Sequence, residues 1–130
     1  AMRTCLVGSE MCIRDSYGHA AGDAVLQRFA DVARQVVREG DRIGRLGGEE
    51  FALLLNNLTL EQAVMTCERL RKSIESETFE FEGQSISITV SGGIAQVARY
   101  SDIQTTLSAA DEALFEAKKS GRNQLAVAAL

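Results

Sequence analysis

The sequence predicts an α/β sandwich in which helices pack on a mixed sheet. Three observations lead there. Apolar residues recur at helical spacing in three separate segments, the period between those segments falls to two or to short apolar runs, and glycine alone punctuates a chain that has no proline.

Residues 1–16 show no periodicity and hold two of the three cysteines. Leu6 to Asp15 can be written back into codons as ctc gtg ggc tcg gag atg tgt ata aga gac, which resembles a transposase adapter used in sequencing-library preparation. The expectation is that residues 1–16 are non-native, that native sequence begins at about Tyr17, and that 17–130 form one domain. The strand that normally leads into the first helix of such a sheet is then replaced, with Thr4 to Val7 the stretch able to fill its place.

Val25, Phe29, Val32 and Val36 give a helix over about 22–39, stopped by Gly40. Arg42 to Leu46 and the apolar run Phe51 to Leu55 read as two strands joined into a hairpin at Gly47 and Gly48. Ala63, Cys67, Leu70 and Ile74 mark a second helix over about 60–77, and Thr59 and Gln62 form a capping box at its start. Phe79 to Phe81 pairs across Glu82-Gly83-Gln84 with a strand in which Ile86, Ile88 and Val90 alternate with Ser85, Ser87, Thr89 and Ser91, leaving one polar face. Ser101 and Gln104 repeat the capping box before a third helix, which turns Leu107, Leu114 and Ala117 inward and ends near Ser120 with Gly121 as its cap. Leu125 to Ala128 supplies a last strand.

Composition excludes several classes. At 130 residues the chain is one domain, and no apolar run approaches the about 18 residues of a membrane span. Fourteen Lys and Arg against 18 Asp and Glu leave a net charge of −4, which repels nucleic-acid backbones. Three irregularly spaced cysteines make neither a disulfide framework nor a zinc site and fit a reducing, cytoplasmic compartment. Cys67 reads as core packing, and His19 as a structural residue beside the first helix.

Chemistry concentrates at Arg45-Leu46-Gly47-Gly48-Glu49-Glu50-Phe51. The glycines let a bulky ligand approach the backbone, and a glutamate beside them can hold Mg²⁺ and accept a hydroxyl proton. Taken alone, the segment is equally a solvated turn with incidental acids. Asp23 reads alone as a helix N-terminal acid, Lys118 and Arg122 as a solvated cationic helix end, and Arg38 with Asp41 as a surface ion pair.

Gly47-Gly48-Glu49-Glu50-Phe51 resembles the signature of the GGDEF family, the diguanylate cyclase domains. Tyr17-Gly18-His19-Ala20-Ala21-Gly22-Asp23 is similar to that family's entry into its first helix. Asp111, Ala113, Leu114, Phe115, Ala117, Lys118, Gly121, Arg122 and Asn123 are similar to its closing helix and loop. The resemblance runs over about 17–128 and implies a nucleotidyl-cyclase-like sandwich with a mostly antiparallel sheet. It implies a bacterial signalling enzyme that condenses two GTP into cyclic di-GMP, with release of pyrophosphate, across a homodimer holding one GTP per copy. Glu49 matches the metal-binding carboxylate and base, and Glu50 its neighbour in the cluster, with Mg²⁺ or Mn²⁺ as the cofactor. Asp23 matches the guanine-reading acid, Gly47 and Gly48 the substrate-binding glycines, and Lys118 and Arg122 the triphosphate clamp. Arg38 and Asp41 match an inhibitory site for the product. Neither nucleic acid nor membrane is an implied partner.

The chain departs from the pattern at its first strand. Counting back from Tyr17, the metal-binding aspartate is Leu6 and the guanine-reading asparagine is Arg14. Leucine offers no oxygen and arginine no acceptor. Activity in this chain is therefore expected to be low. A non-catalytic cyclic di-GMP receptor or a dimerisation domain is the alternative reading, and the retained acids of the glycine hairpin favour the enzyme.

Overall fold

The structure is a computed structural model that describes residues 4–13, 19–47, 49–97 and 103–128, with side chains described from residue 22 onward, Gln84 excepted. Its elements in chain order are β1 (Thr4–Ile13), α1 (His19–Val36), β2 (Arg42–Gly47), β3 (Glu50–Asn56), α2 (Leu60–Ser76), β4 (Phe79–Phe81), β5 (Gln84–Ile86), β6 (Ile88–Gln96), α3 (Ile103–Lys119) and β7 (Leu125–Val127). Five strands form one sheet in the order β2-β3-β1-β6-β7, and β4 and β5 make a separate hairpin. Within the sheet only β6 and β7 run parallel. The expected mixed, mostly antiparallel α/β architecture is what the chain adopts.

One face of the sheet is covered by α1 and α2. Val25, Leu26, Phe29, Val32 and Ala33 of α1 and Ala63, Cys67, Leu70 and Ile74 of α2 bury against Phe51, Leu53 and Leu55 of β3 and Ile88, Val90 and Ile94 of β6. The rings of Phe29 and Phe51 lie 4.8 Å apart at 49°, the tilted arrangement that aromatic quadrupoles favour. Thr59 and Gln62 form the anticipated capping box, with Gln62 N donating to Thr59 Oγ1 and Thr59 N donating to Gln62 Oε1.

The opposite face belongs to α3. A Cβ built on Gly93 would stand 2.1 Å from the Ala110 carbonyl oxygen and 2.3 Å from the Leu114 nitrogen, so α3 lies directly on the β6 backbone. Ala110, Ala113 and Ala117 keep the approach possible by their small size. The expected polar face is kept at Ser85 and Ser87, which are exposed, and is lost further along β6, where both faces are buried. Ser91 is 2% exposed because α3 covers the side on which it points. Leu107 is only half-buried, while Thr106 and Ala110 are buried.

Other departures have local causes. α1 begins at His19 and ends at Val36 rather than running over 22–39. Asp41 takes the Arg38 N–H on its carboxylate at 2.9 Å, and its own N–H donates to the Arg38 carbonyl, which folds residues 38–41, Gly40 among them, into a turn. Phe51, Leu53 and Leu55 are buried while Ala52 and Leu54 are partly exposed, so the apolar run is a one-sided strand. Ser87 separates β5 from β6, and β6 continues to Gln96. Thr4–Ile13 fills the central place between β3 and β6 over more than the short stretch anticipated. Tyr17, Gly18, Arg14, Gly48 and Ser101 lie outside the described residues, as does the side chain of His19.

Near the C-terminal half of α2, Arg71 chelates the Glu68 carboxylate, its Nε at 3.0 Å from both oxygens. That hydrogen bond holds the Glu68 carboxyl below its ordinary value near 4.5, opposed by partial burial and assisted by the Arg71 charge. A carboxylate with a depressed folded-state pKa stabilises the fold above its unfolded pKa and loses that contribution as pH falls through the folded one. Glu68→Gln is expected to flatten the acid limb of the stability curve below about pH 4.3 while lowering stability at pH 7. Urea titrations across pH check this, and parallel acid limbs for the two proteins contradict it. Gly93→Ala is expected to cost about 3 kcal/mol and lower Tm by roughly 10 °C, because the added methyl meets helix backbone that cannot rotate away. Calorimetric melting measures it, and an unchanged Tm contradicts the packing described.

Candidate functional site

The β2–β3 hairpin is shaped by glycine and a bulge. Gly47 has φ +153, which side chains other than glycine rarely adopt, and the pairing shifts register between Arg45 and Gly47 before Gly47 meets Glu50. Glu49 and Glu50 follow and are exposed. Glu50 takes its place on β3, where the next residue, Phe51, is a buried anchor. The acids thus sit at the lip of the sheet, one residue from its core.

Strand direction decides what shares that lip. Glu50 lies opposite Glu10 of β1, Glu10 opposite Ser91 of β6, and the neighbouring Gly92 opposite Leu125 of β7. These positions form one row across the sheet, so the hairpin and the loop from α3 into β7 stand at the same end, about 14 Å apart over three strand spacings. Lys118 lies in the last turn of α3, and Arg122 lies in that loop. The expected acids and cations therefore come to one end of one sheet. In the register of β1, Leu6 pairs with Leu54, well along the strand, and Glu10 occupies the backbone position across from Glu50.

The cationic loop is built by a helix-ending motif. Gly121 N donates to the Lys118 carbonyl at 3.3 Å and Arg122 N to the Ala117 carbonyl at 3.0 Å, with Gly121 at φ +123. This paired pattern satisfies the last carbonyls of α3 and turns the chain toward β7.

Asp23 opens onto a second feature. Between α1 and β2 lies a cleft of about 390 Å³, lined in part by Asp23, Gln27, Arg34, Gly44, Arg45 and Phe51. Arg45 and Phe51 are register partners beside the hairpin, so the cleft adjoins the acids. Arg45 enters the sequence reading only as the first residue of the glycine segment, and Arg34 does not enter it; their helix and strand positions carry no pattern that separates them from solvated surface.

Arg38 and Asp41 are brought together at the other end of the sheet. Asp41 accepts from Arg38 N and from Asn56 N, each at 2.9 Å, and Arg38 Nη2 donates to the Asn56 carbonyl at 2.6 Å. Asn56 ends β3 and Glu50 begins it, which separates the two groups by about 20 Å.

Glu49 and Glu50 are exposed and offer carboxylate oxygens, the donor type that a hard divalent cation takes. No group of three or more metal-ligating side chains occurs among the described residues. Nor, among them, is any helix long and apolar enough to cross a membrane.

Residues 12–124 match the family model described as "Diguanylate cyclase, GGDEF domain". Among curated proteins the chain is 39% identical over 114 residues to diguanylate cyclase A of Treponema denticola, covering 87% of this chain and 31% of that protein. It is 42% identical over 116 residues to diguanylate cyclase DgcP of Pseudomonas aeruginosa, covering 89% and 17%. The chain thus spans about a third or less of these two relatives. Among solved structures it superposes with TM-score 0.89 and 27% identity on the GGDEF domain of DgcB from Caulobacter crescentus in complex with c-di-GMP, covering 97% of this chain and 78% of that one. The active GGEEF domain of a diguanylate cyclase from Vibrio cholerae gives 0.86 and 26%, covering 98% and 84%. A family model that takes in most of the chain, together with a sheet that gathers the hairpin acids and the loop cations at one end, establishes that the chain belongs to the GGDEF diguanylate cyclase family.

Proposed function

We propose that this domain condenses two GTP into cyclic di-GMP and two pyrophosphates, with two copies face to face and each contributing half of the site. The observation that carries the reading is the shared sheet end of Glu49, Glu50, Lys118 and Arg122. In each half-reaction the 3′-oxygen of one nucleotide forms a bond to the α-phosphorus of the other, and the bond from that phosphorus to pyrophosphate breaks. Glu49 accepts the 3′-hydroxyl proton, and Lys118 and Arg122 neutralise charge on the departing pyrophosphate. Glu49 and Glu50 would hold a divalent ion, Mg²⁺ or Mn²⁺, which would supply Lewis-acid stabilisation of that charge. Asp23 accepts from N1 and the 2-amino group of guanine, a pair that adenine does not present. Arg38 and Asp41 bind the product at the far end of the sheet. The domain works in the cytoplasm and has neither nucleic acid nor membrane as a partner.

The first sixteen residues are non-native in this reading, and 17–130 form the domain. The likeness of Leu6 to Asp15, written back into codons, to a transposase adapter supports it, and so does the absence of an acid at Leu6 and of an acceptor at Arg14. The match to the family model, which starts at residue 12, enters that segment by only a few positions. Resequencing of the genomic locus tests this directly, and an intact gene encoding residues 1–16 upstream of Tyr17 defeats it.

Catalysis by this chain is expected to be lower by orders of magnitude than that of the same chain with its genomic first strand. Chromatographic assay of cyclic di-GMP from GTP and Mg²⁺ measures the difference. Full turnover by the 130-residue chain, abolished by Glu49→Ala, overturns the impairment. Turnover by the restored chain that survives Glu49→Ala overturns the assigned role of Glu49.

Calorimetry separates the two ligand sites. Arg38→Ala is expected to weaken cyclic di-GMP binding at least tenfold and leave GTP binding within about twofold, because the sites stand at opposite ends of β3. Equal loss of both ligands contradicts two separate sites.

A further inference from the structure

Gly121, Arg122 and Asn123 are three consecutive residues at positive φ, at +123, +63 and +48. Glycine tolerates that region, whereas arginine and asparagine held there carry strain that surrounding contacts must maintain. The helix-ending hydrogen bonds account for Gly121 and Arg122 but leave Asn123 to other partners.

Those partners come from α2 and β6. Asn123 N donates to Ser91 Oγ at 2.9 Å, and Ser91 is buried beneath α3. Asn123 Oδ1 accepts from Arg71 Nη1 at 3.0 Å, the Asn123 carbonyl accepts from the same nitrogen at 3.4 Å, and Asn123 Nδ2 donates to the Glu75 carboxylate. Arg71 is itself fixed: its side chain is 13% exposed, Glu68 chelates it, and Glu75 stands 3.5 Å away. The planar guanidinium thus spends one edge on Glu68 and turns the other toward a loop 52 residues along the chain. Gln124 Nε2 closes the loop from within by donating to the Ser120 and Arg122 carbonyls.

We infer that Arg71, acting through Asn123, is a positioning residue for the Lys118–Arg122 phosphate clamp. The inference rests on the reading of Lys118 and Arg122 as that clamp. Anchoring Asn123 on both its backbone and its side chain determines the backbone one residue earlier, and so the direction in which Arg122 leaves the loop. A triphosphate then meets a preformed cation and does not have to order one. The guanine end of the nucleotide, at the Asp23 cleft, lies outside this network.

The test is a mutant cycle read by calorimetry with Mg²⁺ and two titrants, guanosine and a GTP analogue carrying a methylene between its α- and β-phosphates, which prevents turnover. Arg71→Met is expected to weaken the analogue about tenfold and leave guanosine unchanged, whereas a purely structural role would lower both together. In an Arg122→Ala background the same substitution is expected to add less than about twofold, because its effect passes through Arg122. Arg71→Lys keeps the charge beside Glu68 without the second edge, and an intermediate loss of about threefold is expected; this variant carries the test if Arg71→Met does not fold. Equal loss of guanosine and analogue, full additivity with Arg122→Ala, or unaltered binding in both Arg71 variants overturns the positioning role alone. Unchanged analogue binding in Arg122→Ala, or no nucleotide binding by the unsubstituted chain, overturns the clamp reading and this inference with it.

Discussion

At Gly93 the backbone of α3 rests on the backbone of β6 with no room for a side chain between them. Much of the molecule follows from that approach. The strand is buried on one face by α1 and α2 and on the other by α3, so it cannot slide without losing both layers. A helix seated so closely also has a fixed axial position. Its last turn, with Lys118, and the loop that follows are therefore placed relative to β6, and through the sheet relative to the hairpin that carries Glu49 and Glu50. A small-residue contact at the centre of the molecule sets the spacing of charged groups at its edge.

The length of one strand separates two groups of polar residues on this sheet. β3 begins with the exposed acids and ends in Asn56, which is held by Arg38 and Asp41. An arginine that bound a nucleotide at that far end would exchange a backbone carbonyl for phosphate or guanine, a trade of one acceptor for another and not the desolvation of a free cation. The cost of such exchange falls on the end of β3 and the α1–β2 turn, where Asp41 still holds Asn56 by its other oxygen.

Local signals in the sequence were legible because their physics is local. The capping box at Thr59 and Gln62, the glycine hairpin at Gly47, and the glycine that ends α3 each lie within a few residues of the groups they satisfy. The buried stripes of α1 and α2 were legible for the same reason. What escaped is non-local. Ser91 reads as one more polar residue on an alternating strand until α3 covers it. The end of α1 was set by Asp41 competing for the Arg38 N–H, which no helical period records. Strand Thr4–Ile13 lacks a hydrophobic alternation of its own and is recruited by open hydrogen-bonding edges on both sides. Of the candidate site, the residue types could be read but their register could not: that Glu10 stands across from Glu50 is set by strand pairing alone.

The two sides of the candidate site are built to different standards. The cationic loop is tied to α2 through Arg71 and Glu75, to β6 through Ser91 and Gly92, and to itself through Gln124. The acids stand on a hairpin whose outer strand, β2, pairs on one side only and exposes Gly44, Arg45 and Leu46 to solvent. Leu46, a large apolar side chain beside the glycines, is 52% exposed. In the proposed condensation, the ordering entropy of binding a triphosphate would fall on the hairpin and hardly at all on the loop. The anchored loop would hold the phosphates of the chain's own nucleotide, and the hairpin would face the second copy.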